Sequence, residues 1–419
     1  MRVVLVWLAA LSIPTMVMMA PLEATAHPRM SATSGAPCTT CHYNSDGGGM
    51  RTEIGWDIQK HTGLIEHDRT RISLLDNRTT NRVVDWMAVG ADVRAMRVRA
   101  TDGPPPTVGD DGDLVLNLPS QRIFPMQAQP YVWIDPIDQI SLYGSYAISD
   151  QLFDGELCGV TYAGQACGQA YMKASFSPRL PSLQAGVFRP STGIRHDDHT
   201  MVTYLQDPSR GLSTVQPPNY AEFGVQASYQ PRYWIKVEAG GYRSDQLASA
   251  IDDSLMGTTV VEGSDPAYLG RVTYYPRLDF GPNRSFFGWV GASVHGAGDY
   301  RNDQGFVGMG WLDRGAVMME VSHLDFGSDA QRRTINASTT GTVQVSEWFV
   351  PHIRVEQSIA RGDNSDEDRR RAATAGFQFY PVPFVKIQPE YRLVQYHNPG
   401  DERAGWSMGQ YYVQLHLFY

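Results

Sequence analysis

Long apolar runs are almost missing from this chain. Beyond its first twenty residues, no stretch of about 20 residues is apolar enough to cross a membrane as a helix. A membrane-spanning reading therefore requires a β-barrel, the other architecture that satisfies its own backbone in lipid. Cysteine is scarce as well, with four in 419 residues, which excludes a disulfide scaffold as the basis of the fold. A second C-x-x-C and an H-x-x-x-H are both lacking, which removes the partner that a structural zinc site would need. The formal charge is -9 and no basic patch is present, so nucleic acid is not an expected partner. Gly47-Gly48-Gly49 has neither a strand before it nor a Lys-Ser/Thr after it, and reads as a turn, not a phosphate cradle.

The one long apolar run is Val3 to Ala20. It follows Arg2 and precedes the small residues Ala24-Thr25-Ala26. That order describes a secretory signal, residues 1–26, cleaved after Ala26; an uncleaved anchor is the competing reading. Arg2 and Glu23 cancel, so cleavage leaves the formal charge unchanged. Export permits disulfides, and Cys158 and Cys167, which share one connecting segment, are expected to pair.

The other two cysteines lie just behind the signal, in Cys38-Thr39-Thr40-Cys41-His42. This is the C-x-x-C-H pattern of c-type haem attachment. Thiols three positions apart on a helical turn can each add to one vinyl group of the same porphyrin, and the next residue turns its imidazole to the iron. A Cys38–Cys41 disulfide or half of a zinc site are the alternatives. The pattern predicts one covalent haem c, with His42 as the proximal ligand. For the second axial position the nearby donors are His27, Met30, Met50, His61 and His67. We favour His61, at the end of a short helix beginning near Glu53.

From about Val83 the texture becomes alternating. Val385, Ile387, Tyr391 and Leu393 fall on one face of a strand, and Lys386, Gln388, Glu390 and Arg392 on the other. The same scheme sets Ile353, Val355 and Ile359 against Arg354, Glu356 and Ser358, and Phe223, Val225 and Ala227 against Glu222, Gln226 and Ser228. A soluble sandwich also alternates, but does not need so many long strands. Short connections such as Asp135-Pro136-Ile137-Asp138, Gln230-Pro231-Arg232, Asp313-Arg314-Gly315 and Pro381-Val382-Pro383 alternate with long ones near 101–120, 149–168, 190–219, 244–265 and 326–342. Short periplasmic turns and long extracellular loops are the outer-membrane pattern, and counting gives about sixteen antiparallel strands. Tyr131, Trp133, Tyr229, Trp234, Tyr274, Tyr275, Trp348, Phe349, Phe379, Tyr380 and Phe384 gather at the short-turn end and predict an aromatic girdle at one interface. The expected organisation is a signal over 1–26, a small α-helical monohaem cytochrome c segment or plug over 27–80, and an all-β outer-membrane barrel over 81–419.

The loop near 190–219 follows the fifth strand. In sixteen-stranded porins a loop at that ordinal position often folds inward, and this one is a candidate for that role. It also carries Arg195-His196-Asp197-Asp198-His199. Two imidazoles flanking two carboxylates are ligands for a transition metal or a substrate contact, if the fold brings His196, Asp197, Asp198 and His199 together. The run from Asp363 to Asp368, followed by Arg369-Arg370-Arg371, reads as a solvated loop tip.

A signal, one C-x-x-C-H and a porin-like barrel ending on Phe418-Tyr419 resemble the fused monohaem cytochrome–porins of iron-oxidising bacteria, over nearly the whole mature chain. The resemblance rests on Cys38, Cys41, His42 and the aromatic terminus. It implies an electron conduit in the bacterial outer membrane, set in lipid. Its partners would be an extracellular donor or acceptor, ferrous iron among them, and a periplasmic c-type cytochrome or other carrier. The physics is compatible, since hydrocarbon about 30 Å thick insulates and a barrel of this size leaves a lumen. Two further readings stand beside it: a transport porin with a periplasmic haem module for docking or sensing, and a haem enzyme such as a peroxidase, which requires an open axial position. Electron transfer is the expectation over catalysis.

Overall fold

The computed structural model describes residues 31–32, 38–42, 51–65, 81–102, 122–148, 168–177, 179–194, 201, 203, 220–252, 260–279, 285–311, 314–327, 332–361, 367–397 and 407–419. The signal segment, Cys158, Cys167, His196, Asp197, Asp198 and His199 lie outside these residues, as do His27, Met30, Met50 and His67.

The strands in chain order are β1 (Arg82–Val84), β2 (Met87–Asp102), β3 (Arg122–Ile137), β4 (Ile140–Tyr146), β5 (Gly168–Ala174), β6 (Ser182–Phe188), β7 (Glu222–Arg232), β8 (Ile235–Tyr242) and β9 (Ala267–Tyr274). They continue with β10 (Arg277–Asp279), β11 (Ser285–Ala297), β12 (Tyr300–Trp311), β13 (Gly315–Asp325), β14 (Arg333–Val343), β15 (Phe349–Arg361), β16 (Glu367–Phe379), β17 (Val385–His397) and β18 (Ser407–Phe418). β1 and β10 are three-residue hairpin partners of β2 and β11. The other sixteen form one antiparallel ring, closed where β18 pairs with β2 and where β9 pairs with β11. Closure leaves no sheet edge, which is the condition for a sheet to sit in lipid. The count expected from the alternation is correct.

So is the facing. Along β17, Lys386, Gln388, Glu390 and Arg392 are buried in the lumen, and Leu393 is exposed on the outside, with Val385, Ile387 and Tyr391 half-buried on the same face. Arg354, Glu356 and Ser358 on β15 and Gln226 on β7 are buried likewise. Two expectations need correction. Residues 333–343 are strand β14, so the outer connection before it is only 326–332; Thr334, Asn336, Ser338, Thr340 and Thr342 face inward, and this polar inner face looks like loop composition. The aromatics near the short turns are also not one outward girdle. Trp234 and Tyr274 are exposed, whereas Tyr131, Trp133, Tyr275, Tyr380 and Phe384 are buried inside. Tyr131 and Trp133 share strand parity with Gln127 and Gln129, and that parity points them at the lumen.

The described N-terminal residues sit at the short-turn end, which faces the periplasm in barrels of this type. Helix α1 (Glu53–Lys60) starts at Thr52, whose backbone is extended and whose Oγ1 accepts from the Gly55 N–H at 3.2 Å. Its inward face carries Gly55, Trp56 and Gln59, while Ile54 and Asp57 are exposed. Trp56 is fully buried among Val350, Tyr380, Phe384 and Phe418, with its ring 4.4 Å from Phe384 and edge-on to Tyr419 at 4.8 Å. Beyond the helix, the Leu64 and Ile65 N–H groups donate to the Tyr380 and Pro381 carbonyls at 2.9 and 3.1 Å. Arg82 ties α1 to the wall, meeting Glu53 at 3.4 Å and Asp135 at 3.0 Å.

Candidate functional site

Cys38–Thr40 form one 3-10 turn. The Cys41 and His42 N–H groups both donate to the Cys38 carbonyl, at 3.2 and 2.9 Å. Both thiols therefore hang from the same turn, half-buried, with a buried His42 directly after. The turn is latched to the start of α1. Thr52 N–H donates to the Cys41 carbonyl at 3.0 Å, and the Thr52 hydroxyl donates to the Thr40 carbonyl at 2.6 Å. Gly55 is required at this contact, because a Cβ there would run into the Cys41 carbonyl oxygen. His42 also pairs with Arg51 in an isolated antiparallel bridge. Burial pushes the Cys41 thiol up, and neighbouring Cys38 adds to this, while Arg51 opposes it.

This donor set fits a c-type haem. Two thiols one turn apart can take both vinyl groups of one porphyrin, and the adjacent imidazole is an iron ligand. His61 lies at the opposite end of α1 from the turn, as its C-cap residue, with an exposed side chain. Sequence reasoning reached the three turn residues through their spacing. It did not reach Thr52, Gly55, Trp56 and Arg51, which hold the turn against the barrel and match no motif.

The lumen above has two unlike walls. On one, strand register sets Arg354 beside Thr374, Thr374 beside Arg392, and Arg392 beside Gln410. One rung lower, His352 Nε2 meets Glu390 Oε1 at 2.8 Å. Lower still, Lys386 is beside His416, and His416 beside Arg94. Carboxylates interleave: Arg354 Nε donates to Glu356 at 2.9 Å, and His416 Nε2 is 2.9 Å from Asp92 Oδ1. The Arg392 guanidinium lies 4.6 Å over the Tyr412 ring.

The opposite wall is aromatic. Tyr131, Tyr143, Tyr171, Phe188, Tyr242, His295, Tyr300 and Phe326 follow one another with centroids between 4.9 and 6.4 Å apart. Helix α2 (Asp245–Asp252), from the outer connection between β8 and β9, covers part of it with Leu247, Ala248 and Ile251. Glu222 Oε2 accepts the Gln246 and Leu247 N–H groups at 3.0 and 3.2 Å, satisfying donors at the helix start. The sequence signal for this wall was inward parity at Tyr171, Phe188 and Tyr242. It was obscured because porin interiors are expected to be polar.

Between the walls runs the connection after β6, which folds inward as its ordinal position suggested. Gly193 N–H donates to Ser293 Oγ at 3.0 Å, and Ile194 N–H to Glu320 Oε2 at 2.6 Å. Gly193 has φ +48, and a Cβ on it would press on the Gln304 and Glu320 carboxamide and carboxylate oxygens at 2.9 and 3.0 Å. Thr203 N–H reaches Glu356 at 3.4 Å. β15 lies eight strands on from β6 in the ring of sixteen, so the loop spans the lumen. Residues 195–200, with the His and Asp pairs, fall between these anchors and outside the described residues. Among the described residues, no group of three or more His, Cys, Asp or Glu forms a metal cage.

No family model and no curated protein sequence matches the chain. Solved structures do. The outer membrane channel DcaP of Acinetobacter baumannii aligns with a TM-score of 0.51 at 10% identity, over 80% of this chain and 97% of that one. The outer membrane protein OmpT of Vibrio cholerae gives 0.47 at 10%, over 80% and 99%. The anion-selective porin from Comamonas acidovorans gives 0.44 at 8%, over 80% and 99%. The first likeness, at this identity, establishes the fold: a porin-type β-barrel. Apolar outside and charged within, a barrel of this build belongs in the bacterial outer membrane.

Proposed function

We propose that this protein passes single electrons between an extracellular donor or acceptor and a periplasmic carrier, using one c-type haem. The observation that carries the reading is the latching of the Cys38-x-x-Cys41-His42 turn, through Thr52 and Gly55, onto a helix whose Trp56 is seated in the barrel mouth. The Cys38-x-x-Cys41-His42 turn and the barrel thus share one packed unit. Bound through Cys38 and Cys41 with His42 on the iron, the haem supplies a one-electron carrier. The chain's own residues do the rest. α1 fixes the turn, Trp56 and its aromatic partners exclude water from the mouth, and His61 would supply the second ligand to the iron. The likeness to the cytochrome–porins of iron oxidisers supports ferrous iron as a fitting donor.

A second reading is a transport porin whose haem module docks or senses at the periplasmic face. It is favoured by the position of the turn at the short-turn end, away from the extracellular loops. One experiment separates them. The purified protein is reconstituted in liposomes with a sealed internal acceptor. External ferrous iron reduces the haem and then the trapped acceptor if the conduit reading is right, and His42→Ala blocks both with the barrel intact. Reduction from the periplasmic face alone supports the porin reading instead.

A further inference from the structure

We propose that an arginine rim on the outward face of β12 to β16 and β2 binds the phosphate groups of the phosphorylated glycolipid in the outer leaflet. Nothing in it depends on the haem.

Side chains alternate along a strand, so the buried lumen residues mark the positions between them as outward. Those outward positions carry Arg301 on β12, Arg333 on β14, Arg361 on β15, and Arg369 and Arg371 on β16. Arg97 and Arg99 on β2 close the sector. All lie in the halves of their strands nearer the outer connections, which face the cell exterior in barrels of this type. Among the described side chains, the outward face of the eight strands from β12 through β18 to β2 has three carboxylates, Asp303, Asp325 and Glu367, and no lysine. Nearer the short turns that face carries no charge. The described outward positions of β4 to β9 and of β11 carry none at any height. Charge on the lipid side is therefore confined to one sector and one level, and most of it is arginine.

Register packs these groups closely. Arg301, Asp325, Arg333, Arg361 and Glu367 are successive cross-strand partners on one rung. Four strand spacings make that rung about 19 Å long. Arg333 and Arg361 stand directly opposite each other, and like charges so placed repel. Carboxylates flank them: Arg333 Nε is 3.2 Å from Asp325, Arg361 Nη2 is 3.0 Å from Glu367, and Glu367 also holds Arg369. These ion pairs do not use up the site. A guanidinium has five N–H donors, and the Arg333, Arg361 and Arg301 side chains remain 69, 64 and 59% exposed beside their partners. One phosphate can take both central guanidinium groups through paired, charge-assisted hydrogen bonds and remove their repulsion.

The level also fits a headgroup. Arg99 is the cross-strand partner of Tyr411, whose ring lies 4.7 Å from that of Tyr391, and tyrosines gather where lipid meets water. Deeper on the same face Val321, Leu393 and Val413 are exposed for acyl chains to cover. Arginine on the lipid face is costly at the midplane and nearly free at the interface. A rim that only meets water has no need of one cation type on one side of the ring, whereas an anionic headgroup layer rewards it.

The test titrates the purified protein in detergent with lipid A carrying two phosphates, with its monophosphoryl form and with inorganic phosphate. Binding is read by native mass spectrometry, with heat-modifiable migration as the folding control. The native protein should prefer the bisphosphorylated lipid, and millimolar inorganic phosphate should not displace it. Arg333→Gln/Arg361→Gln/Arg371→Gln should weaken lipid A binding about a hundredfold, at roughly fivefold per arginine. Arg243→Gln, an exposed arginine just beyond β8 on the other side of the ring, should leave it unchanged. The single Arg361→Gln, expected to cost about fivefold, carries the test if the triple variant does not fold. Unchanged binding in the glutamine variants overturns the rim, and equal loss with Arg243→Gln shows that any surface cation serves. Equal affinity for the two lipids overturns phosphate recognition. Displacement by inorganic phosphate turns the rim into a site for the free ion. Loss of an oligomer band on unheated gels, with lipid A binding intact, assigns the sector to a second copy of this chain instead.

Discussion

On the wall from β3 to β12 the inward positions hold Tyr131, Tyr171, Phe188, Tyr242 and Tyr300, with Gln184 and the Lys236–Glu238 ion pair buried nearer the short turns of β6 and β8. On the wall from β15 through β18 to β2 the corresponding positions hold Arg354, Arg392, Glu390, Lys386, His416 and Arg94. Outside, both walls present the same apolar surface. Val225 and Val237 on the first wall are as exposed as Leu393 and Val413 on the second. Lipid therefore constrains only the outward parity, and the inward parity is free to diverge. The aromatic wall uses that freedom to make a second hydrophobic core inside the barrel, covered by α2. The charged wall keeps a polar inner face. The connections follow the same division. Long outer segments precede β5, β7 and β9, whereas residues 362–366 alone join β15 to β16.

If α2 is a filler of the lumen on the aromatic side, removing its apolar grip should have the largest effect. Leu247→Asp with Ile251→Asp places two carboxylates among Tyr300, Phe326 and Val261. An uncompensated buried charge costs on the order of 3–5 kcal/mol, enough to expel an eight-residue helix. The expected outcome is a several-fold rise in single-channel conductance with the barrel still heat-modifiable on gels. Unchanged conductance would break the comparison, because α2 would then not fill the lumen.

Trp56→Ala tests the mouth below both walls. Truncating a fully buried tryptophan costs about 3–5 kcal/mol. That loss falls on the docking of α1, since the barrel strands keep their own ladders. Limited proteolysis should cut the variant within residues 43–80 while leaving the barrel core protected. Equal resistance of variant and native protein would show that Arg82, with Glu53 and Asp135, anchors the module without Trp56.

The barrel was legible because lipid imposes a period of two on every strand, as in Val385 to Leu393 and in Phe223 to Ser228. The Cys38–Cys41–His42 spacing could be read in the sequence as a haem-attachment motif, and the structure adds that Cys38, Cys41 and His42 share one turn. Strand β14 was hidden, since Thr334 to Thr342 read as loop when their facing is unknown. The girdle was misjudged for a related reason: proximity to a turn places Tyr131 and Tyr380 at the right height, but only pairing register tells which way they point. The inner core was hidden because α2 lies in a connection, and Leu247 is buried in one cluster with Tyr300 and Phe326, far away in sequence. The pairing of Cys158 with Cys167 and the metal-ligand reading of His196 to His199 belong to segments outside the described residues.

The smallest expected effect is also the one that separates the two walls most cleanly. Arg354→Gln removes a cation from the charged wall and keeps much of the side-chain length. Glu356 still accepts from the Thr203 N–H and hydroxyl, so the loop that crosses the lumen keeps its anchor. A unit charge at about 4 Å in a water-like medium is worth about 1 kcal/mol, which limits the change in cation-to-anion permeability ratio to roughly fivefold. Reversal potentials across a potassium chloride gradient should therefore move toward the cation-selective side by a modest amount, with conductance nearly constant. Tyr242→Phe on the aromatic wall removes a hydroxyl that donates to Gln226 at 2.6 Å but carries no charge, and should leave the reversal potential where it was. If Tyr242→Phe moves the reversal potential as far as Arg354→Gln does, ions pass the aromatic wall as well, and the division of the lumen into a core and a path is wrong.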